Sequence, residues 1–134
     1  MDNKIIIEPI GYIETKYSTR KGVPAQGEES VNSHGVIVMR DEFAEGIRDL
    51  KQGDNITVLF NFHKSKAFEL TTIPYSSNTP KGIFSTRSPD RPNGIGITVV
   101  EITKVERNKI EFIGADMLDG TPVIDIKPAL QKSY

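Results

Sequence analysis

A chain of 134 residues is near the commonest size for one domain, long enough to bury a core and too short to favour two. Its 17 basic and 18 acidic side chains leave a net charge of −1, which excludes a generic nucleic-acid coat while allowing a local basic patch. The absence of cysteine rules out disulfides, thiolate metal sites and a cysteine nucleophile, and the two histidines, His34 and His63, lack the spacing of a zinc site.

The first predicted element is "KIIIEPIGYIET", Lys4–Thr15, a β-prone run in which Pro9 marks an edge or a bend. Its run of three isoleucines is too short for a signal peptide, and no later run approaches membrane-spanning length. The expectation is a soluble cytoplasmic protein with no membrane partner. A polar loop follows from Lys16 to Ser33, with "RKGVPAQGEES" at its centre. It is long for a compact domain, which marks it as functional or mobile. "HGVIVMR" reads as a strand. The period then changes: Phe43, Ile47 and Leu50 fall at i, i+4 and i+7, predicting one short amphipathic helix over Glu42–Leu50 with Asp41 as N-cap.

After the turn "QGDN", the run "ITVLFNFH" places Ile56, Val58, Phe60 and Phe62 on one face of a strand. "AFELTTIP" and the turn-rich "YSSNTPKG" lead to "TRSPDRPNGIG". Beyond it come "IGITVVEITKVE", the turn "RNK", "IEFIGAD", the turn "LDGT" and "PVIDIKP". About seven strands and one helix, with no βαβ alternation and no GxGxxG fingerprint, predict an all-β fold: a closed or nearly closed β-barrel spanning residues 1–134 as a single domain.

Three stretches carry chemistry. In "TRSPDRPNGIG", Pro89 and Pro92 forbid a helix and push Ser88 and Arg91 into extended backbone, so the loop is stiff. Arg87 and Arg91 offer planar donor forks suited to carboxylates or phosphates, and Asn93 offers a donor and an acceptor. The competing reading is a structural corner whose arginines pair with nearby Asp or Glu. "DMLDGTPVIDIKP" contains an ordinary Asp-Gly hairpin turn, set apart by the density of Asp116, Asp119, Asp125 and Lys127 in an apolar segment. His63 with Lys64 closes "VLFNFHKS", where a lone histidine is more often a surface group than a ligand.

Together, "GIFSTRSPDRPNGIGITVVEI", "FHKS" and "DGTPVIDIKP" resemble the signatures of the TsaA-like, or TrmO, family; "PIGYIET" and "VPAQG" match its early segments. The resemblance implies a homodimeric, non-Rossmann β-barrel that binds S-adenosylmethionine and methylates the N6 atom of threonylcarbamoyl-adenosine next to the anticodon of tRNA. It also implies cofactor contacts at Pro24, Ala25, Gln26, His63, Lys64, Arg87, Ile97 and the turn Asp116, Met117, Leu118 and Asp119. Asn93 and Asp119 are the expected catalytic residues, Asn93 orienting the acceptor. No metal is implied. Two departures stand out: Gly94 replaces the proline usual in the family, and the C-terminal domain of the tRNA enzymes is missing, so the expectation is a short form. The alternatives are a methyltransferase of a small molecule and a non-catalytic S-adenosylmethionine-binding module.

Overall fold

The computed structural model describes residues 3–17, 33–74 and 77–130. Six antiparallel strands form a closed barrel: β1 (Gly11–Glu14), β2 (His34–Met39), β3 (Asn55–Asn61), β6 (Ile95–Glu106), β7 (Lys109–Ile113) and β8 (Pro122–Pro128), in the order β1-β2-β7-β6-β3-β8. The ring closes where β8 pairs with β1, Gly11 opposite Val123. Closure leaves no bare sheet edge in the barrel. Two further strands of two residues each, β4 (Thr71–Thr72) and β5 (Lys81–Gly82), pair in a separate small sheet.

Period-2 patterning decides which side chains enter the barrel. On β3, Ile56, Val58 and Phe60 point inward, and on β2, Ile37 and Met39 do the same. They meet Ile13, Val100, Ile102, Ile110, Phe112 and Val123 in one apolar cluster, each no more than 4 % exposed. Small-barrel interiors are filled by side chains, so ligand chemistry is left to the barrel rim and the connecting loops.

Three local expectations change in the structure. The first strand begins at Gly11, not Lys4, because the proline at position 9 has no N–H for the ladder and regular pairing starts with Ile10 N donating to the Val123 carbonyl (2.9 Å). Ile5 and Ile6 therefore stand 86 % and 96 % exposed. The helix is 3-10 in type over Asp41–Ile47, and the residue before it, Arg40, makes no side-chain cap. Asp41 is the first helical residue instead of the N-cap. Phe43 and Ile47 still turn toward the core in this tighter winding, and Leu50, just past the helix end, packs beside them. Of "AFELTTIP", only Thr71 and Thr72 pair, opposite Gly82 and Lys81.

Candidate functional site

The connection between β3 and β6 begins and ends at one end of the barrel. Phe62 N donates to the Gly94 carbonyl (2.8 Å) and Asn61 Nδ2 to the same oxygen (3.3 Å), while Lys66 N donates to Asp90 Oδ1 (2.7 Å). The "FHKS" segment is thus strapped to the "TRSPDRPNG" loop. On its other side lies the Asp-Gly turn, where a Cβ on Gly120 would sit 3.7 Å from His63 Nε2. Two stretches separated by more than fifty residues, and the loop between them, converge around His63.

The stiffness of the "TRSPDRPNG" loop has an atomic basis. Thr86 Oγ1 donates to the Ile83 carbonyl (2.8 Å), Ser88 N donates to Thr86 Oγ1 (3.3 Å) and Asp90 N to Ser88 Oγ (3.3 Å). Arg91 Nη1 donates to the carbonyls of Thr86 (2.7 Å) and Ser88 (3.3 Å). Arg91 therefore staples its own loop through Nη1, and among the described residues it makes no ion pair of the kind the competing corner reading required. Arg87 is different: its side chain is exposed, and no ion pair or hydrogen bond engages its guanidinium among the described residues. Pro92–Gly94 forms a single 3-10 turn in which Asn93 takes φ 66° and Gly94 takes φ 54°. Proline, locked near −65°, cannot follow that path. Glycine at position 94 thus gives this loop a turn closed to a proline-bearing version.

The acidic turn is built from the strand ends around it. Asp119 Oδ1 accepts from Thr15 N (3.1 Å), and Asp119 N donates to the Tyr17 carbonyl (2.6 Å). Thr15 Oγ1 donates to the Met117 carbonyl (3.0 Å), and Thr121 Oγ1 donates to the Leu118 carbonyl (2.6 Å). The Met117 side chain is 2 % exposed in the barrel core, so it is anchor rather than ligand wall. Asp116 is half-buried, with Oδ2 accepting from Thr98 Oγ1 (3.3 Å) and Oδ1 buried. Burial and then the Lys64 charge push the His63 imidazole below its ordinary 6.5, against the opposing hydrogen bonds to the backbone of Asp119 and Asn61. The residue as a whole stays exposed, so the effect acts on the ring rather than on fold stability.

His63, Lys64, Asp116, Met117, Leu118 and Asp119 thus lie on segments in contact or one link apart, and Arg87 lies on the loop strapped to them. Ile97 lies on the outer, exposed phase of β6, whereas Thr98 faces Asp116. Asn93 is exposed at the foot of the loop, beside the Gly94 carbonyl that Phe62 N and Asn61 Nδ2 hold. Asp125 and Lys127 pair with each other on β8 (2.8 Å). Pro24, Ala25 and Gln26 lie outside the described residues. Sequence reasoning missed Thr15, Asn61, Thr98 and Thr121, the hydroxyls and amide that hold the turns. For Thr98 the signal was a hydroxyl on the inward phase of a buried strand.

The model for "tRNA-methyltransferase O N-terminal domain" matches residues 12–133. An S-adenosyl-L-methionine-binding protein of Archaeoglobus fulgidus is 40% identical over 123 residues, covering 92% of this chain and 88% of its own. The human tRNA (adenine(37)-N6)-methyltransferase is 36% identical over 131 residues, covering 92% of this chain and 30% of that one. The crystal structure of TrmO from Pseudomonas aeruginosa superposes with a TM-score of 0.78 at 32% identity, covering 95% of this chain and 56% of that one. The chain thus spans about half the length of that solved structure and less of the human enzyme. With a match over almost all its length, the chain belongs to the tRNA-methyltransferase O N-terminal-domain family.

Proposed function

We propose that the chain is an S-adenosylmethionine-dependent methyltransferase acting on N6 of the threonylcarbamoyl-adenosine next to the anticodon of tRNA. The observation that carries this reading is the family match over residues 12–133, and the convergence of the three motif segments at one end of the barrel agrees with it. The donor set fits the cofactor. A zwitterionic amino acid joined to a nucleoside calls for a cationic fork, acceptors for ammonium and ribose hydroxyls, and an uncharged neighbour for the sulfonium. Arg87 supplies an exposed guanidinium, the turn supplies Asp119 and Asp116, and burial with the Lys64 charge favours the neutral form of His63. Pro24, Ala25, Gln26, Lys64, Ile97, Met117 and Leu118 complete the proposed contacts, Met117, buried as it is, through its backbone.

When bound, S-adenosylmethionine supplies a methyl group on a positively charged sulfur. The protein's share is alignment, because in-line displacement is accelerated chiefly by holding the reacting atoms in register. Asn93 orients the acceptor base, and the preformed loop keeps Arg87 and Asn93 from having to be ordered on binding. The acceptor nitrogen can lose its proton after attack, so no strong base is required.

Protonation of His63 would place a cation beside the sulfonium. Its pKa is lowered from 6.5, so cofactor affinity is expected to hold through pH 7 and to fall on acidification below about 6.5. His63→Gln, neutral throughout, should flatten that profile; calorimetry across pH checks it, and an identical acid fall in the variant would clear His63 of the role.

The same reading includes a cytoplasmic homodimer. Its support is exposed apolar surface: Ile5 and Ile6 before β1, and Ile95, Ile97 and Val99 along the outer phase of β6, 42–53 % exposed. Among the described residues no helix is long and apolar enough to cross a membrane. Sedimentation at micromolar concentration is expected to give a dimer mass, and a monomer alone would remove the assembly from the account. A non-catalytic binding module is the second reading, favoured by the near-neutral charge. Purified chain that binds cofactor tightly yet methylates no RNA would establish it, whereas transfer of a labelled methyl to tRNA establishes the enzyme.

A further inference from the structure

The excursion between β3 and β6 carries more than the site loop. From His63 to Arg91 it holds five basic and two acidic side chains, a net +3 that leaves −4 on the rest of a chain totalling −1. It also holds four exposed large apolar side chains: Phe68 (49 %), Leu70 (63 %), Ile73 (60 %) and Phe84 (73 %). Here the charge and the apolar side chains share one connection, with the small β4–β5 sheet at its middle.

Phe84 is held out rather than left loose. Its neighbour Ile83 is 1 % exposed and anchors a single 3-10 turn, Ile83–Ser85. Ile83 N donates to the Leu70 carbonyl (2.8 Å), extending the pairing of Thr71 with Gly82 and Thr72 with Lys81. Phe68 precedes Leu70, the residue whose carbonyl accepts from Ile83 N, by two positions. Exposed Lys81 and Lys66 flank the aromatics, with Glu69 the acidic exception; Asp90 is engaged by Lys66 N. Both feet of the excursion are the site segments themselves, so a polymer lying along it runs into the site.

We propose that this excursion is the chain's grip on single-stranded RNA, with Phe68 and Phe84 stacking on unpaired bases and Lys66 and Lys81 meeting phosphates. Rigid aromatics edged by cations are what unpaired loops require, since every base offers a π-face and its backbone offers charge. The net positive charge suits the phosphates of RNA, and both feet of the excursion lead into the site. The inference rests on the proposed tRNA activity and names the surface that activity would use.

The test compares the wild-type chain with the Phe68→Ala/Phe84→Ala double variant, using a fluorescent RNA hairpin with an unpaired loop and a blunt duplex of the same composition. The hairpin affinity is expected to weaken about 30-fold or more for the two lost stacks, while duplex binding, melting temperature and cofactor affinity stay put. Lys81→Ala should lower the slope of log K against log salt by about 0.7. Unchanged hairpin affinity in the double variant overturns the proposal. So does a double variant that sediments as a monomer where wild type is a dimer, because the aromatics would then serve a second copy. Methyl transfer to RNA by the wild type, with hairpin affinity unmoved in the variant, removes this surface and leaves the activity standing. Aromatic-dependent hairpin binding without any methyl transfer keeps the surface and removes the activity.

Discussion

Gly96→Ala is expected to lower the melting temperature by roughly 5 to 15 °C, the scale set by about 1–3 kcal/mol of overpacking in a chain of this size. A Cβ at that position would lie 2.5 Å from two ring carbons of Phe60 and 2.8 Å from Phe62. Those rings already pack edge to face at 5.1 Å, so neither can move without disturbing the other. Phe60 is 2 % exposed in the core, and Phe62 N holds the Gly94 carbonyl (2.8 Å). Relief by shifting Phe62 would therefore drag the site loop. Gly46→Ala is the control, since a Cβ there meets no atom within 4 Å. A melting temperature for Gly96→Ala equal to that of Gly46→Ala would show that the glycine is not needed for ring packing.

Arg87→Ala is expected to weaken S-adenosylmethionine binding about ten- to a hundredfold, the loss of a charge-assisted fork worth about 1.5–3 kcal/mol. Arg87→Lys should recover only part of it, because an ammonium cannot present two parallel donors. The structure adds a contrast that separates binding from stability. Arg91 holds two loop carbonyls (2.7 and 3.3 Å) and Arg87 holds none among the described residues. Arg91→Ala should therefore lower melting temperature, leaving two carbonyls without their donor, whereas Arg87→Ala should not. Calorimetry and thermal melting on both variants read the pair. A melting loss for Arg87→Ala with unchanged affinity would make that residue structural.

The barrel was legible because its signal is repetitive. β2, β3, β6 and β7 each alternate in burial over five or more residues between turn signals, a period of two that points to strand, while β8 is interrupted by a register shift. The start of β1 was less so, since Ile5–Ile7 looks as strand-like as Ile13 until the missing N–H of Pro9 is set against the ladder. Helix type was invisible: Phe43, Ile47 and Leu50 pack on the core as their spacing predicts, yet the winding over Asp41–Ile47 is 3-10. At the site, the converging segments could be named from motifs, but not the division of labour within them. Arg87 and Arg91 flank the same Ser-Pro-Asp stretch, and only the direction of the Thr86 and Ser88 carbonyls decides which one closes the loop. Met117, likewise, sits between two polar positions of a turn, yet its side chain belongs to the core.

The central claim is methyl transfer to tRNA. Purified chain incubated with methyl-labelled S-adenosylmethionine and with tRNA carrying threonylcarbamoyl-adenosine tests it most directly, followed by nuclease digestion to locate the label. The account predicts label on N6 of that nucleoside beside the anticodon, reduced in Arg87→Ala at limiting cofactor and in Asn93→Ala even at saturating cofactor. Tight cofactor binding with no label in any RNA would contradict it.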